Sequence, residues 1–308
     1  MRIDCNTEWV AAAAYHPVRI ANVTLRPSVV TQLAVFDRLD LVSNRLSQRM
    51  RTFEPAEIAA FAALLRPQTI VLDIGANIGW WTFNFATTHK VHAFEPNPSN
   101  LALHALSRCM NPHLAQSITV HPVGLYDREP ARCELHSHRF NLGNTQTLCG
   151  TPEEILEAKI NTHKPLELRG SVEMRTLDTL VPEWLFRADK IVKLDIEGSE
   201  QVALMGATRL LTDGVPPRAL FMEIIFYKGT KRRVLYQFLE RQGYVPARLV
   251  QYNMLFVYTS EWPFVPQEWH ERVLPAVCDD YCAFHRPPKC NATCGLRGAQ
   301  NCCGWWTA

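Results

Sequence analysis

The sequence predicts an α/β fold around a doubly wound, mostly parallel sheet, and three observations predict it. Short runs dominated by apolar residues recur at Thr69–Asp73, Val91–Glu95, Ile118–Val123, Lys190–Asp195 and Leu220–Glu223. They show little polar alternation, as expected of strands buried on both faces. Stretches with helical spacing separate them, among them Ser99–Cys109, Glu200–Leu211 and Lys231–Arg241, and strands alternating with helices build parallel sheets. Four of the five runs end on a carboxylate: Asp73, Glu95, Asp195 and Glu223. In such sheets ligands bind beyond the carboxyl ends of the strands.

Composition narrows the class without naming a function. The chain has 308 residues, 47% hydrophobic and 20% charged, values of a soluble globular protein, which excludes a disordered chain, a collagen and a membrane bundle. No run reaches the ~18 apolar residues of a membrane span. A net charge of +2 leaves no footprint for nucleic acid, so no nucleic-acid partner is expected. Met1–Tyr15 carries Asp4 and Glu8 and lacks the basic start and apolar run of a signal peptide.

Taken in order, residues 1–53 read as a lead-in of strands and turns punctuated by Pro17 and Pro27. Ile58, Phe61, Ala62 and Leu65 then mark one face of a helix from Glu54, stopped by Pro67. The strand ending at Asp73 is closed by Gly75 and Gly79, and a helix restarts over Ile78–Ala86. Pro96 and Pro98 break the second strand, and Tyr126–Thr179 is polar and irregular, with β-like stretches at Arg132–Leu135 and Val172–Met174. Met254–Tyr258 is the last strand. The division expected is a lead-in (1–53), a catalytic domain (54–260) and a Cys-rich C-terminal extension (261–308).

The chemistry concentrates at the first crossover. In Asp73-Ile-Gly75-Ala-Asn77-Ile-Gly79, glycines at a strand-to-helix turn let a ligand approach the backbone and turn amides toward it. Glu95, twenty residues past Gly75, stands where a carboxylate can accept hydrogen bonds from both hydroxyls of a ribose. A dinucleotide site would want G-x-G-x-x-G, whereas Trp80 and Trp81 directly follow Gly79 here. Bulky indoles at that position suit a nucleoside without phosphates, such as S-adenosylmethionine. Its ammonium would lie near Asp73. A nicotinamide-dependent oxidoreductase and an inactive binding module are the rival readings.

VLDIGANIGWWTF, FEPNPSNL, RTLDTLVPEW, KLDIEGSEQVALMGATRLL and FMEI, in that order, resemble the FkbM-type methyltransferases. The resemblance runs from about Glu54 to Tyr258 and implies a class I, Rossmann-like methyltransferase fold. It also implies S-adenosylmethionine as cofactor, and a small-molecule or glycan acceptor methylated on a hydroxyl. Carried onto this chain, Asp73, Gly75, Asn77, Gly79 and Glu95 line the cofactor pocket, and Gly124 to Asp127 border the adenine. The Cys-rich tail departs from the family pattern.

Methyl transfer to an alcohol gains from a base beside the acceptor oxygen. The candidate bases are Asp195 and Glu197, with Glu223 on the neighbouring strand, and Asp195 is the expected base or acceptor-orienting group. Lys193, two residues earlier on the same strand face, pairs with Asp195 or offsets charge on the acceptor. No metal is assigned, although these carboxylates could alternatively hold a divalent cation that chelates a diol. Trp80 and Trp81 are expected in the core, with a wall of the substrate cleft as the alternative place for one of them. His136 and His138 read as polar surface residues, and Lys231, Arg232 and Arg233 as a solvated helix start.

Cys5, Cys109, Cys133 and Cys149 read as small buried hydrophobes. Cys278, Cys282, Cys290, Cys294, Cys302 and Cys303 crowd into the last 31 positions, and their even number favours disulfides over zinc. The sequons at Asn22 and Asn291 point weakly to the lumen of the secretory pathway.

Overall fold

The structure is a computed structural model that describes residues 5–37, 40–48, 51–129, 131–138, 141–160, 166–227 and 230–265. Helix α1 (Asn6–Ala13) and a hairpin of β1 (Val18–Leu25) and β2 (Val29–Phe36) lead into α2 (Leu41–Ser47) and α3 (Pro55–Ala62). Then come β3 (Ile70–Ile74), α4 (Trp80–Ala86), β4 (Val91–Phe94), α5 (Pro98–Met110) and β5 (Ile118–His121). The strands β6 (Gly124–Leu125), β7 (Ala131–His138), β8 (Asn141–Leu148) and β9 (Leu166–Arg175) form a separate excursion before β10 (Lys190–Leu194). The chain continues through α6 (Glu200–Met205), α7 (Thr208–Thr212), β11 (Ala219–Glu223) and α8 (Thr230–Arg241) to β12 (Tyr244–Val250) and β13 (Asn253–Tyr258).

A seven-stranded sheet in the order β12-β13-β11-β10-β3-β4-β5 holds the centre. Its pairs from β11 to β5 are parallel, and β13 lies antiparallel to both of its neighbours. Alternation along the strands feeds two cores. Val71, Ile191 and Phe221 face a cluster with Phe61, Trp81 and Phe85, while Leu72, Ile74, Val192, Leu194 and Met222 face one with Leu204, Leu211 and Leu235. Helices on both faces make the sheet doubly wound. All seven residues of α4 are buried, because this helix follows the interior strand β3 and packs within the first core.

The lead-in differs from expectation by containing helices. Four consecutive alanines, Ala11 to Ala14, favour α1, and Asp40 caps α2 by accepting from Ser43 N at 2.7 Å. The lead-in is built onto α5: Ala34 N donates to Ser107 Oγ at 2.9 Å and Asn111 Nδ2 to Gln32 O at 2.7 Å. The helix expected from Glu200 to Leu211 is divided at Gly206, where a Cβ would lie 2.0 Å from Tyr126 O.

The reading of four cysteines as isolated hydrophobes is corrected. Cys5 and Cys109 form a disulfide that ties the start of α1 to α5, and Cys133 and Cys149 form another. The antiparallel register that sets Glu134 opposite Leu148 also sets Cys133 opposite Cys149. The six C-terminal cysteines and the Asn291 sequon lie outside the described residues.

Candidate active site

The turn from β3 to α4 is wound in the left-handed region, with φ +78° at Gly75, +52° at Asn77 and +93° at Gly79. A Cβ on Gly75 would lie 1.9 Å from the carbonyl oxygen of Asp195, so β10 requires glycine here. The turn amides expected to face a ligand are engaged within the protein. Gly75 N and Ala76 N both donate to Phe94 O at 3.0 Å, and Asn77 N donates to Glu95 Oε2 at 2.7 Å. Glu95 also accepts from Asn97 N through Oε1 at 2.8 Å. Burial pushes its carboxyl up to about 7, against the lowering effect of these amides. Asp73 is fully buried behind the turn, where Oδ2 accepts from Thr82 Oγ1 at 2.6 Å.

A slot opens at the ends of β3 and β4. One part is lined by Gly75, Asn77, Glu95 and Asn100, with Asp195 and Glu197 closing it. The Oδ1 of Asn100 is buried there without a hydrogen-bond partner. The adjoining part is more apolar, with Phe94, Pro96, Gly124, Tyr126 and Met174 in its walls. Thr147 from β8 lines both parts, so the excursion sheet closes the slot. Gly124 is held by β9, where a Cβ would meet Met174 Sδ. Asp127 lies one residue beyond this lining, with Oδ1 at 3.8 Å from Arg128 Nε.

On the other side of Asp195 lies a cleft of about 530 Å³. Among the described residues, six carboxylates (Asp40, Glu54, Glu57, Asp195, Glu197 and Glu223) and the guanidinium of Arg45 line it. Carboxylate oxygens of Asp195, Glu197 and Glu223 lie within 4.8 Å of one another. Burial, then the nearby Asp195 and Glu197, push Glu223 up to about 10. Glu200, which closes the K-x-D-x-E-G-x-E motif, has a framework role: Oε1 accepts from Ile196 N and Gly198 N at 3.0 and 3.1 Å.

Lys193 stands between slot and cleft. It is 4% exposed, and its Nζ donates to Gly75 O at 2.7 Å while lying 3.4 Å from Asp73 and 3.6 Å from Asp195. Burial opposes its charge, but Asp195, Asp73 and Glu54 outweigh burial and raise it above the ordinary lysine value. The parallel register pairs Lys193 with Asp73, a partner that the period along one strand does not reveal.

Sequence reasoning missed Glu54 and Glu57. Glu54 accepts from Trp81 Nε1 at 2.7 Å, and burial followed by the charge of Asp195 pushes it up to about 7. Its place directly before a proline marks a helix start, where negative charge is favoured, but does not mark a site. Trp81 itself is buried among Phe61, Phe85 and Phe221, so its ring belongs to the core and its N–H faces Glu54. His136, expected on the surface, is buried and pairs with Glu134 at 2.7 Å, because β9 and β8 flank β7 on both edges.

A family model described as the Methyltransferase FkbM domain matches residues 73–246, more than half of the chain. The chain is similar to methyltransferase FkbM from Methylobacillus flagellatus KT (19% identity, 66% of this chain and 48% of that one, TM-score 0.41). It is also similar to precorrin-6y C5,15-methyltransferase from Geobacter metallireducens GS-15 (12%, 72% and 100%, TM-score 0.36). A third likeness is to the T. thermophilus 16S rRNA N2 G1207 methyltransferase in complex with AdoMet and guanosine (13%, 79% and 50%, TM-score 0.40). This chain aligns with about half the length of the first of these. No curated protein sequence matches it. With the glycine turn, Glu95 and the motif around Asp195 all inside residues 73–246, the chain belongs to the FkbM methyltransferase domain family.

Proposed function

We propose that the protein is an S-adenosylmethionine-dependent O-methyltransferase acting on a hydroxyl of a sugar, glycan or secondary metabolite. The observation that carries this reading is a shared wall: Asn77, Asp195 and Glu197 line both the slot and the acidic cleft. A nucleoside in the slot and an acceptor in the cleft would meet at Asp195.

The slot fits the cofactor in its donors and acceptors. Glu95 takes one amide on each oxygen, and each carboxylate oxygen can accept a further hydrogen bond, as a ribose diol requires. The unpartnered Asn100 Oδ1 is a further acceptor beside it. Glu95, Asn77 and Asn100 would hold the ribose end, and Gly124, Tyr126 and Met174 would border the base, with Asp127 just outside. Asp73 acts through Lys193 and Thr82 by fixing the turn that carries Gly75 and Gly79. When bound, the cofactor supplies an electrophilic methyl group on a sulfonium.

The chain's own contribution is to position the acceptor and accept its proton. Asp195, about one third exposed at its side chain, faces the cleft and can accept the hydroxyl proton. Lys193 holds Asp195 in place and at the same time binds the carbonyl of Gly75, which fixes base and cofactor turn relative to each other. An acidic cleft favours an acceptor that donates hydrogen bonds and disfavours a phosphodiester backbone, which supports a sugar or small-molecule acceptor over a nucleic acid. Two disulfides support synthesis in an oxidising compartment, such as a secretory lumen.

Isothermal titration with S-adenosylhomocysteine, beside NAD and beside Glu95→Ala, tests the reading. Micromolar binding, about −8 kcal/mol, that collapses in the variant supports it and justifies an acceptor screen beginning with sugars. No binding to folded protein, or preference for NAD, overturns it.

A further inference from the structure

We infer that Asp195, Glu197 and Glu223 form a binding site for one hard divalent cation, which holds an acceptor through two adjacent oxygens. The inference rests on the methyltransferase reading for what the ion does, and on the cleft alone for where it binds.

The three carboxylates come from different places that the fold makes converge. Asp195 follows the end of β10, Glu197 lies on the next loop with φ +57°, and Glu223 ends the neighbouring parallel strand β11. One oxygen from each lies within 4.8 Å of the others, the span of ligands around a single ion. Three carboxylates at that separation repel one another strongly in a partly buried site. Lys193 lies 3.6 Å from Asp195, but it is shared with Asp73 and the carbonyl of Gly75.

An independent observation comes from the opposite wall. Glu57 on α3 lines the same cleft, is 2% exposed, and has its Oε2 buried without a hydrogen-bond partner. A buried carboxylate oxygen left unpaired costs free energy unless a ligand completes it. Glu223 Oε2 is likewise buried and unpartnered. The cluster offers oxygen donors alone, and all-oxygen donor sets select Mg²⁺, Mn²⁺ or Ca²⁺ over softer metals. Such ions keep open positions, and a vicinal diol or a hydroxyl beside a carbonyl would fill two of them. This placement would bring the acceptor oxygen to the wall shared with the cofactor slot.

Mn²⁺ titrated into the full-length chain, followed by electron paramagnetic resonance, is the direct test. It suits this protein because Mn²⁺ prefers oxygen to any cysteine thiolate. The expectation is one Mn²⁺ per chain with a dissociation constant below about 100 μM, weakened at least tenfold in Glu197→Gln and in Glu223→Gln, and displaced by Mg²⁺. The variants remove repulsion and should fold. A rise in the wild-type melting temperature with added Mn²⁺ gives a second measurement that needs no variant. A dissociation constant above 1 mM, or tight binding unchanged in both variants, overturns the site. S-adenosylhomocysteine titrated into the same samples separates the two readings. Its binding without Mn²⁺ binding removes the ion site alone, whereas Mn²⁺ binding without it supports the ion site and removes the methyltransferase reading.

Discussion

Glu95 makes cofactor affinity depend on pH in a calculable way. Burial pushes its carboxyl up to about 7, and only the ionised form can accept from Asn77 N, Asn97 N and two ribose hydroxyls together. Binding below pH 7 must therefore expel a proton. The apparent dissociation constant scales as one plus the ratio of proton concentration to the acid constant. Between pH 7.5 and 5.5 it should rise about 25-fold, roughly 2 kcal/mol at 1.36 kcal/mol per pKa unit. Isothermal titration with S-adenosylhomocysteine at pH 5.5, 6.5 and 7.5, in two buffers of different ionisation enthalpy, reads both the affinity and the released proton. Glu95→Gln should bind weakly with no such slope. Wild-type affinity constant within twofold over this range would refute the reasoning. The effect on stability has the opposite sense to that of a salt-bridged carboxylate. The native value lies above the unfolded one, so the folded state keeps a proton that the unfolded chain releases between about pH 4.5 and 7. Stability of the ligand-free protein should fall as pH rises through that window and level off above it, with Glu54 acting in the same direction.

Other perturbations have equally definite outcomes. Lys193→Met leaves buried Asp73 beside Asp195 without their cation and should cost about 3–5 kcal/mol in urea unfolding, the range for breaking a buried ion pair. Gly75→Ala should abolish S-adenosylhomocysteine binding and destabilise by roughly 3 kcal/mol, since its Cβ meets the Asp195 carbonyl at 1.9 Å and its φ is +78°. Replacing Cys5 and Cys109 together by serine opens a loop with a sequence separation of 104, worth about 4.7 kcal/mol by chain entropy, against about 3 kcal/mol for the 16-residue separation of Cys133 and Cys149. Thermal unfolding of the two double variants should rank them in that order. Non-reducing peptide mapping should recover both linked pairs from the wild type.

The sequence made the central layer legible because its signals are local. Apolar runs, strand-ending carboxylates and glycines at Gly75 and Gly79 each act within a few residues, and alternation with helices makes the sheet mostly parallel. What stayed hidden depends on pairing between distant segments. His136 read as a surface residue since a polar stretch gives no hint that β9 and β8 will cover both edges of β7. Cys5 and Cys109 are separated by 104 residues, and only the packing of α1 on α5 brings them together. The turn amides looked free for a ligand, yet the register of β3 beside β4 delivers the Phe94 carbonyl to two of them. Glu54 and Glu57 escaped notice because nothing local distinguishes a helix-start carboxylate in solvent from one folded over a cleft.

That cleft also explains why the acceptor is harder to read than the cofactor. The slot proposed for the nucleoside is assembled chiefly from one crossover, β3 to β4, with a fixed spacing between Gly75 and Glu95. The cleft draws on α2, the start of α3, the ends of β10 and β11, and the turn at Gln251 and Tyr252, so its shape depends on the packing of segments over two hundred residues apart. Lys193 is where the two sites become one. A lysine rather than an arginine suits the position, because a compact ammonium with three donors can face Gly75 O, Asp73 and Asp195 at once, whereas a planar guanidinium directs its donors outward in one plane. Any change of charge at Asp195 is therefore transmitted to Asp73 and to the turn beneath the cofactor. The side proposed to accept the proton and the side proposed to donate the methyl group share the buried ammonium of Lys193, so a change at one reaches the other.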